Sequence, residues 1–406
     1  MPRRGISWGL LLLVGCGGVG GVEQGRPVIA PAEKPTAASR SSWTVFREEH
    51  LPKLKGWRWA VVVHRPTYTL VDSLLAAGLE VMRIYAPEHG LLGQKAAGEK
   101  VHDTTYRGVP VRSLYGAQKA PLPQELQEVE AILFALRDVG VRHYTYLSTL
   151  AYVLQAAAEA GRPVWVLDFP NPHAHYAYGP LLDSSLFSFV GLYPVPLVLG
   201  LTIGEYARLI TGEGWVKAPS LHIVPWKGWR RGSPLPADTP FFAVPPSPSL
   251  RSLSAIELYP ILGWYEGTTC VSVGRGTPFP FEQVGLRGAS AWYRADTTLY
   301  GYRLEPATFQ PEGEKISYYG WRIKKLYKGP VHPDSLFRLG FFLLRTFRQA
   351  YAMPEAFYQE EFFDKLFGTP LLRWMEAKDL PIDTLYKAFQ APASWEALRQ
   401  KYRLYP

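Results

Sequence analysis

The stretch that decides the fold is Ala131–Leu167, AILFALRDVGVRHYTYLSTLAYVLQAAAEAGRPVWVL. Ala131–Leu136 is an unbroken apolar run short enough to be one strand buried on both faces. The polar residues Arg137–Tyr146 follow it. Ser148–Ala160 then reads as a helix closed by Gly161, and Pro163–Leu167 as the next strand. A strand, a helix and a second buried strand form a βαβ unit, and such units build parallel sheets.

The same alternation extends upstream. Trp59–Val63, Leu79–Tyr85 and Val109–Leu114 read as strands, Thr69–Gly78 as a helix closing at a glycine, and Pro123–Val129 as helix-like. Residues 43–215 are therefore expected to form a Rossmann-like domain in three layers. Within it, residues 184–203 are long enough and apolar enough to suggest a membrane span, but Pro194 and Pro196 favour a loop plus strand at a cleft. Thr202–Gly212 carries a capping box, Thr202 with Glu205 three residues on. The Pro- and Trp-rich stretch 216–248 marks a change of domain. Residues 216–406 are expected to form a smaller α/β (α+β) domain, with a cleft between the two. It holds an apolar, turn-rich segment over Ile256–Phe281, strands near Tyr318–Tyr327, and helices at Ser335–Tyr351, Phe357–Phe367 and Ser394–Lys401.

The N-terminus, MPRRGISWGLLLLVGCGGVGG, does not belong to this pattern. Arg3 and Arg4 precede a short apolar run that ends in Leu13-Val14-Gly15-Cys16. This looks like a lipoprotein signal peptide and lipobox (residues 1–21), with Cys16 the lipidated residue and an anchor at the periplasmic face of a bacterial cell envelope. Residues 22–42, rich in Pro, Ala, Ser and Gly, read as a flexible tether. Gly15–Gly20 matches the dinucleotide fingerprint G-x-G-x-x-G, but it follows a signal-like run and no amphipathic helix begins after it. A nucleotide-dependent oxidoreductase is disfavoured accordingly. Cys16 and Cys270 are the two cysteines, so lipidation of the first leaves no internal disulfide, and Cys270 reads as a small buried residue. No His/Cys spacing resembles a zinc site. Neither a metal nor a cofactor is expected.

With 406 residues, 47% apolar and 19% charged, the chain has ample core material for two domains. The net charge of +9 is scattered, which favours at most a mild attraction for anionic substrates and carries no nucleic-acid signature. Aromatic residues, 14% of the chain, mostly fill cores but also build the flat walls on which sugar rings stack.

In open parallel sheets, ligands bind outside the carboxyl ends of the strands. Glu88 and His89 in Ala86–Gly93 (APEHGLLG), Arg137–Tyr146, Asp168–Pro172, and Glu99 with Asp103 all fall there. The second domain contributes Tyr265-Glu266-Gly267-Thr268 and Ser272–Phe281, where glycines flank Arg275. Each residue has a structural alternative: Glu88 could cap a helix, His89 could be a satisfied buried histidine, Asp138 could pair with Arg142, and Asp168 could brace a loop.

PEHG, DVGVRHYTYLSTL, PNP, GPLLD, TIGEYARLITGEGW, LYP, EGT and VSVGRGTPFPFEQVG occur in this order along the chain. Together they resemble the NamZ-type exo-β-N-acetylmuramidases. The resemblance implies a hydrolase that releases N-acetylmuramic acid from the non-reducing end of peptidoglycan fragments. It places the family's candidate catalytic glutamate on Glu88. It also implies His89 as proton partner, Asp138 or Glu266 as second carboxylate, and Arg142 or Arg275 as binder of the lactyl carboxylate. Tyr144 and Phe279 would stack on the ring, and Asn171 and Thr277 complete the candidate substrate contacts. The chain departs from the family pattern at Ala135, Arg137, Phe169, Leu199 and Cys270, and after the first strand at Val63–Thr67. Departures gathered at a pocket rim would point to altered substrate preference, or to a non-catalytic lipoprotein that holds a glycan.

Overall fold

The computed structural model describes residues 39–93, 99, 102–217, 219–236, 239–288 and 296–406. The signal segment, Cys16 and most of the tether lie outside them. In the first sheet the strands are β1 (Arg58–Val63), β2 (Glu80–Ala86), β3 (Thr104–Tyr106), β4 (Val109–Ser113), β5 (Ala131–Ala135), β6 (Val164–Leu167) and β7 (Leu221–Val224). Their order is β3-β4-β2-β1-β5-β6-β7, parallel except for β3. Counting only the parallel strands, this is the 3-2-1-4-5-6 arrangement of doubly wound sheets. The two strands that sequence reading misses, β3 and β7, are short edge strands with little burial, so neither shows an apolar run. The sheet thus extends past the expected change at residue 215.

Burial on both faces explains why the central strands read as continuous apolar runs. Trp59, Val61 and Val63 enter the core on one face, while Ala60 and Val62 enter the core on the other. The helix Tyr146–Ala160 packs on the second face and closes at Gly161, whose φ of 67° is the left-handed conformation glycine adopts freely. Residues 184–203 make a short 3₁₀ turn and isolated bridges rather than the expected strand. No helix among the described residues is long and apolar enough to cross a membrane.

The second sheet is antiparallel. Its strands β8 (Val271–Ser272), β9 (Gln283–Arg287), β10 (Thr297–Leu299), β11 (Tyr302–Phe309) and β12 (Tyr318–Lys325) lie in the order β10-β11-β12-β9-β8. The Ile256–Phe281 segment is not simply turn-rich. It contains the helix Leu253–Leu262, which carries Pro260 inside it, and a 3₁₀ turn at Gly263–Gly267. Val284, Leu286 and Ile323 of this sheet share one continuous core with Leu150 and Val153 of the first lobe.

Both chain ends of the described fold are pinned to the first lobe. Arg40 exchanges backbone hydrogen bonds with Lys227, and Ser41 caps a short helix, so order begins before residue 43. At the other end the Tyr405 hydroxyl donates to Asp168 at 2.8 Å, and the Leu404 amide donates to Glu205 at 2.7 Å. Asp168 also receives the Thr202 hydroxyl at 2.6 Å and the Gly204 amide at 2.8 Å. It therefore braces the start of the helix Ile203–Gly212, whose Thr202–Glu205 capping box forms. Thr202→Ala removes the cap and one Asp168 bond together, and should cost about 1–2 kcal/mol. Chemical denaturation measures this, and an unchanged midpoint would show that the cap contributes nothing.

Candidate active site

The order of the first sheet reverses at β1, which has β2 on one side and β5 on the other. Crevices form outside strand ends at such a point. A cavity of about 460 Å³ lies there, lined from the β2 end by Glu88 and His89, from the β5 end by His143, Tyr144 and Thr145, and from the second lobe by Glu266, Arg275 and Phe281.

Pro87 ends β2, and its carbonyl accepts the Gly90 amide at 3.0 Å. This tight turn holds His89 at φ 74°, and Phe281 across the cavity sits at φ 57°. Non-glycine residues in this region carry strain that only the surrounding structure maintains, and such strain gathers at functional sites. Glu88 is 9% exposed, and its Oε2 accepts the Thr145 hydroxyl at 2.8 Å. Thr145 is the residue before the first helical residue Tyr146, and its side chain makes no capping bond. Glu88 is therefore gripped at the start of that helix while facing the cavity.

On the opposite wall Glu266 and Arg275 form a two-point ion pair, Nε–Oε1 2.5 Å and Nη2–Oε2 3.0 Å. Arg275 Cζ also lies 4.8 Å from the Phe281 ring centre. Among the described residues Nη1 of Arg275 makes no hydrogen bond, so the Nη1/Nη2 end of the guanidinium remains for a ligand. His143 is bonded through Nδ1 to the Tyr259 hydroxyl at 3.2 Å. Burial, with Arg142 and Arg275 adding to it, pushes His143 down to about 3, so the imidazole is neutral. Among the described residues no cluster of His, Cys, Asp and Glu could hold a metal ion.

The structure brings Glu88, His89, Tyr144, Glu266 and Arg275 to the cavity, and leaves other expected residues outside it. Asp138 is buried behind, its Oδ2 accepting the Gly140 amide at 2.6 Å and its Oδ1 without a partner. Burial pushes its carboxyl up to about 7. Asn171 stitches its own loop, donating to the Leu201 carbonyl and accepting the His173 amide. Thr277 closes a turn on the Gly274 carbonyl. Phe279 lies under Arg322, Cζ 3.3 Å from the ring centre, so Phe281 and not Phe279 faces the cavity.

Arg142 is the largest correction. It is 1% exposed and binds no carboxylate among the described residues. Its Nη1 donates to the Val195 carbonyl at 3.2 Å and its Nη2 to the Leu366 carbonyl at 2.9 Å. A Cβ on Gly368 would lie 2.7 Å from Nη2, and one on Gly191 3.2 Å from Cδ, so both segments close tightly on the side chain. Val190 and Leu366 line the cavity from these two segments. Arg142 clamps two walls and does not read a ligand.

The departures from the family pattern do not line the cavity either. Phe169 packs on Trp226 and Phe241, Ala135 accepts the Thr67 hydroxyl through its carbonyl, and Leu199 and Cys270 are buried. Sequence reading includes His143, Thr145 and Phe281 in its strand-end and second-domain clusters without giving them a role, and gives none to Tyr259. The signals available were the LYP motif for Tyr259 and the helix start for Thr145.

Two family descriptions match the chain. Exo-beta-N-acetylmuramidase NamZ, N-terminal, covers residues 60–254, and Exo-beta-N-acetylmuramidase NamZ, C-terminal, covers residues 257–405. The chain is 34% identical over 371 residues to the peptidoglycan beta-N-acetylmuramidase NamZ of Bacillus subtilis (strain 168), spanning 88% of this chain and 89% of that protein. Two crystal structures of DUF1343 family proteins from Bacteroides fragilis NCTC 9343 superpose with a TM-score of 0.74 each. They are 27% and 26% identical, and cover 91% of this chain and 99% of theirs.

Replacing Arg142 with methionine should leave the Val195 and Leu366 carbonyls without their donor and lower stability by about 2–3 kcal/mol. A raised KM at unchanged stability would instead make Arg142 a ligand-binding group. Denaturation and steady-state kinetics on the same variant separate the two.

Proposed function

The chain belongs to the NamZ exo-β-N-acetylmuramidase family, and from that premise we propose that it is an exo-acting glycoside hydrolase releasing N-acetylmuramic acid from the non-reducing end of peptidoglycan fragments. The observation that carries the reading is the single cavity that holds Glu88 and His89 of one lobe and Glu266 and Arg275 of the other.

Glycoside cleavage needs an acid to protonate the leaving oxygen and a second group to stabilise or attack the anomeric carbon. Glu88, nearly buried and held by Thr145, is the acid, with His89 beside it to share or orient the proton. Glu266 is the second carboxylate, since Asp138 lies outside the cavity. Arg275 offers its remaining edge to the lactyl carboxylate in a charge-assisted hydrogen bond. Tyr144 and Phe281 supply apolar walls. Because the departures from the family pattern leave the cavity lining intact, they support an active enzyme over a purely binding lipoprotein.

We also propose that Cys16 carries lipid and tethers the enzyme to the cell envelope, facing the periplasm. The supporting observation is the charged start, short apolar run and small-residue boundary of Met1–Gly21. With a C16S substitution the protein should move from the membrane fraction to the soluble fraction of the expressing cell. Retention in the membrane would remove the anchor.

Glu88→Gln should lower release of muramic acid from a muramic acid–glucosamine disaccharide by a factor of about 10³ or more, consistent with loss of an essential acid. Quantifying the free sugar checks this. Near-normal turnover would take Glu88 out of the mechanism.

A further inference from the structure

A second cavity, of about 320 Å³, lies beside the first, and Leu250 lines both. Phe242, Pro245, Leu253 and Ile256 give it apolar walls. Among the described residues, the charged ones lining it are both cations, Arg137 and Arg251.

Arg137 is 4% exposed. Its Nη1 donates to the Phe241 carbonyl at 2.6 Å and the Val244 carbonyl at 3.0 Å, and its Cζ lies 4.7 Å from the Phe242 ring centre. Among the described residues its Nε and Nη2 make no hydrogen bond, and no carboxylate lies within ion-pair distance. A guanidinium this deep normally carries a counter-ion, because burial strips its water and carbonyl dipoles replace only part of it. Arg251 likewise spends its Nε on the Pro248 carbonyl at 2.6 Å and has no acidic partner among the described residues. The lining is complementary to one kind of guest, an apolar body that ends in a negative charge.

We propose that this second cavity is a binding site for a small organic carboxylate, its apolar body against Phe242, Pro245 and Leu253 and its carboxylate on Arg137. The site is separate from the glycosidase cavity but shares a partition with it. Arg137 holds the Phe241 and Val244 carbonyls from one side, while the hydroxyls of Tyr144 and Tyr146 hold the Pro246 carbonyl from the other, at 3.1 and 3.3 Å.

Benzoate and its neutral isostere benzamide test the assignment by calorimetric titration of the full chain. Benzoate should bind about ten-fold more tightly than benzamide, the difference one charge-assisted contact makes. Arg137→Gln should weaken benzoate about ten-fold. Leu253→Asp, which puts a negative charge at an exposed wall position without touching Arg137, should weaken it similarly and serves where Arg137→Gln does not fold. Arg275→Gln should retain benzoate binding. The proposal is overturned if benzoate does not bind, if it binds no better than benzamide, if Arg137→Gln and Leu253→Asp bind it as the unaltered chain does, or if Arg275→Gln abolishes binding and so moves the anion to the first cavity.

Discussion

The site depends on a buried cation that has no anion. Arg142 is enclosed between two segments from opposite lobes and satisfies its charge with peptide carbonyls alone. Burial pushes its guanidinium down to about 9, a measure of how poorly this site replaces water. That cost is tolerated because the fork-shaped head reaches Val195 and Leu366 at once, which a lysine or an apolar side chain cannot do. The loop that carries Val190 and the helix that carries Leu366 are therefore held at a set separation. The width of the gap between the lobes follows from it.

The other half of the geometry comes from the first sheet. Its central strand has a core on each face, and its pairing with β2 shifts register between Trp59 and Ala60. The ends of β2 and β5 then diverge on either side of β1. The Pro87–Gly90 turn caps one end, and the start of the helix Tyr146–Ala160 caps the other. Thr145 joins the two by giving its hydroxyl to Glu88. Glu88, the proposed acid, thus sits in a turn pinned to a helix start by a hydrogen bond, and such support is what holds a reactive group in productive orientation.

How much of this was legible follows from how local each signal is. The strands β1, β2, β4, β5 and β6 show themselves because both faces are apolar. Most of the second sheet does not: β11 alternates, with Arg303 exposed and Glu305 half-buried, and passes for loop, while β12 does read as strand. Pro260 disguised a helix. In the site, Glu88, His89, Glu266 and Arg275 stand where strand ends and glycines announce them. Arg142, Asn171 and Thr277 look like ligand-binding residues, but their partners are backbone groups and, for Thr277, also the Gln283 amide, and residue identities say nothing of where backbone groups lie. Arg142 and Leu366 are distant in the chain and adjacent in space. Phe281, with its left-handed φ of 57°, faces the cavity, whereas Phe279 packs under Arg322.

The return of the final residues to the first lobe has a consequence for folding. Asp168 lies 237 residues before Tyr405 and Glu205 lies 199 before Leu404, yet Tyr405 and Leu404 supply some of their hydrogen bonds. Until those two residues dock, Asp168 keeps, among the described residues, only its bonds from Phe169, Thr202 and Gly204, and Glu205 only those from Arg231 and the Thr202 amide. The first lobe thereby closes on a contact of long sequence separation, and such a contact forms late because its loop-closure entropy is lost before the contact offsets it.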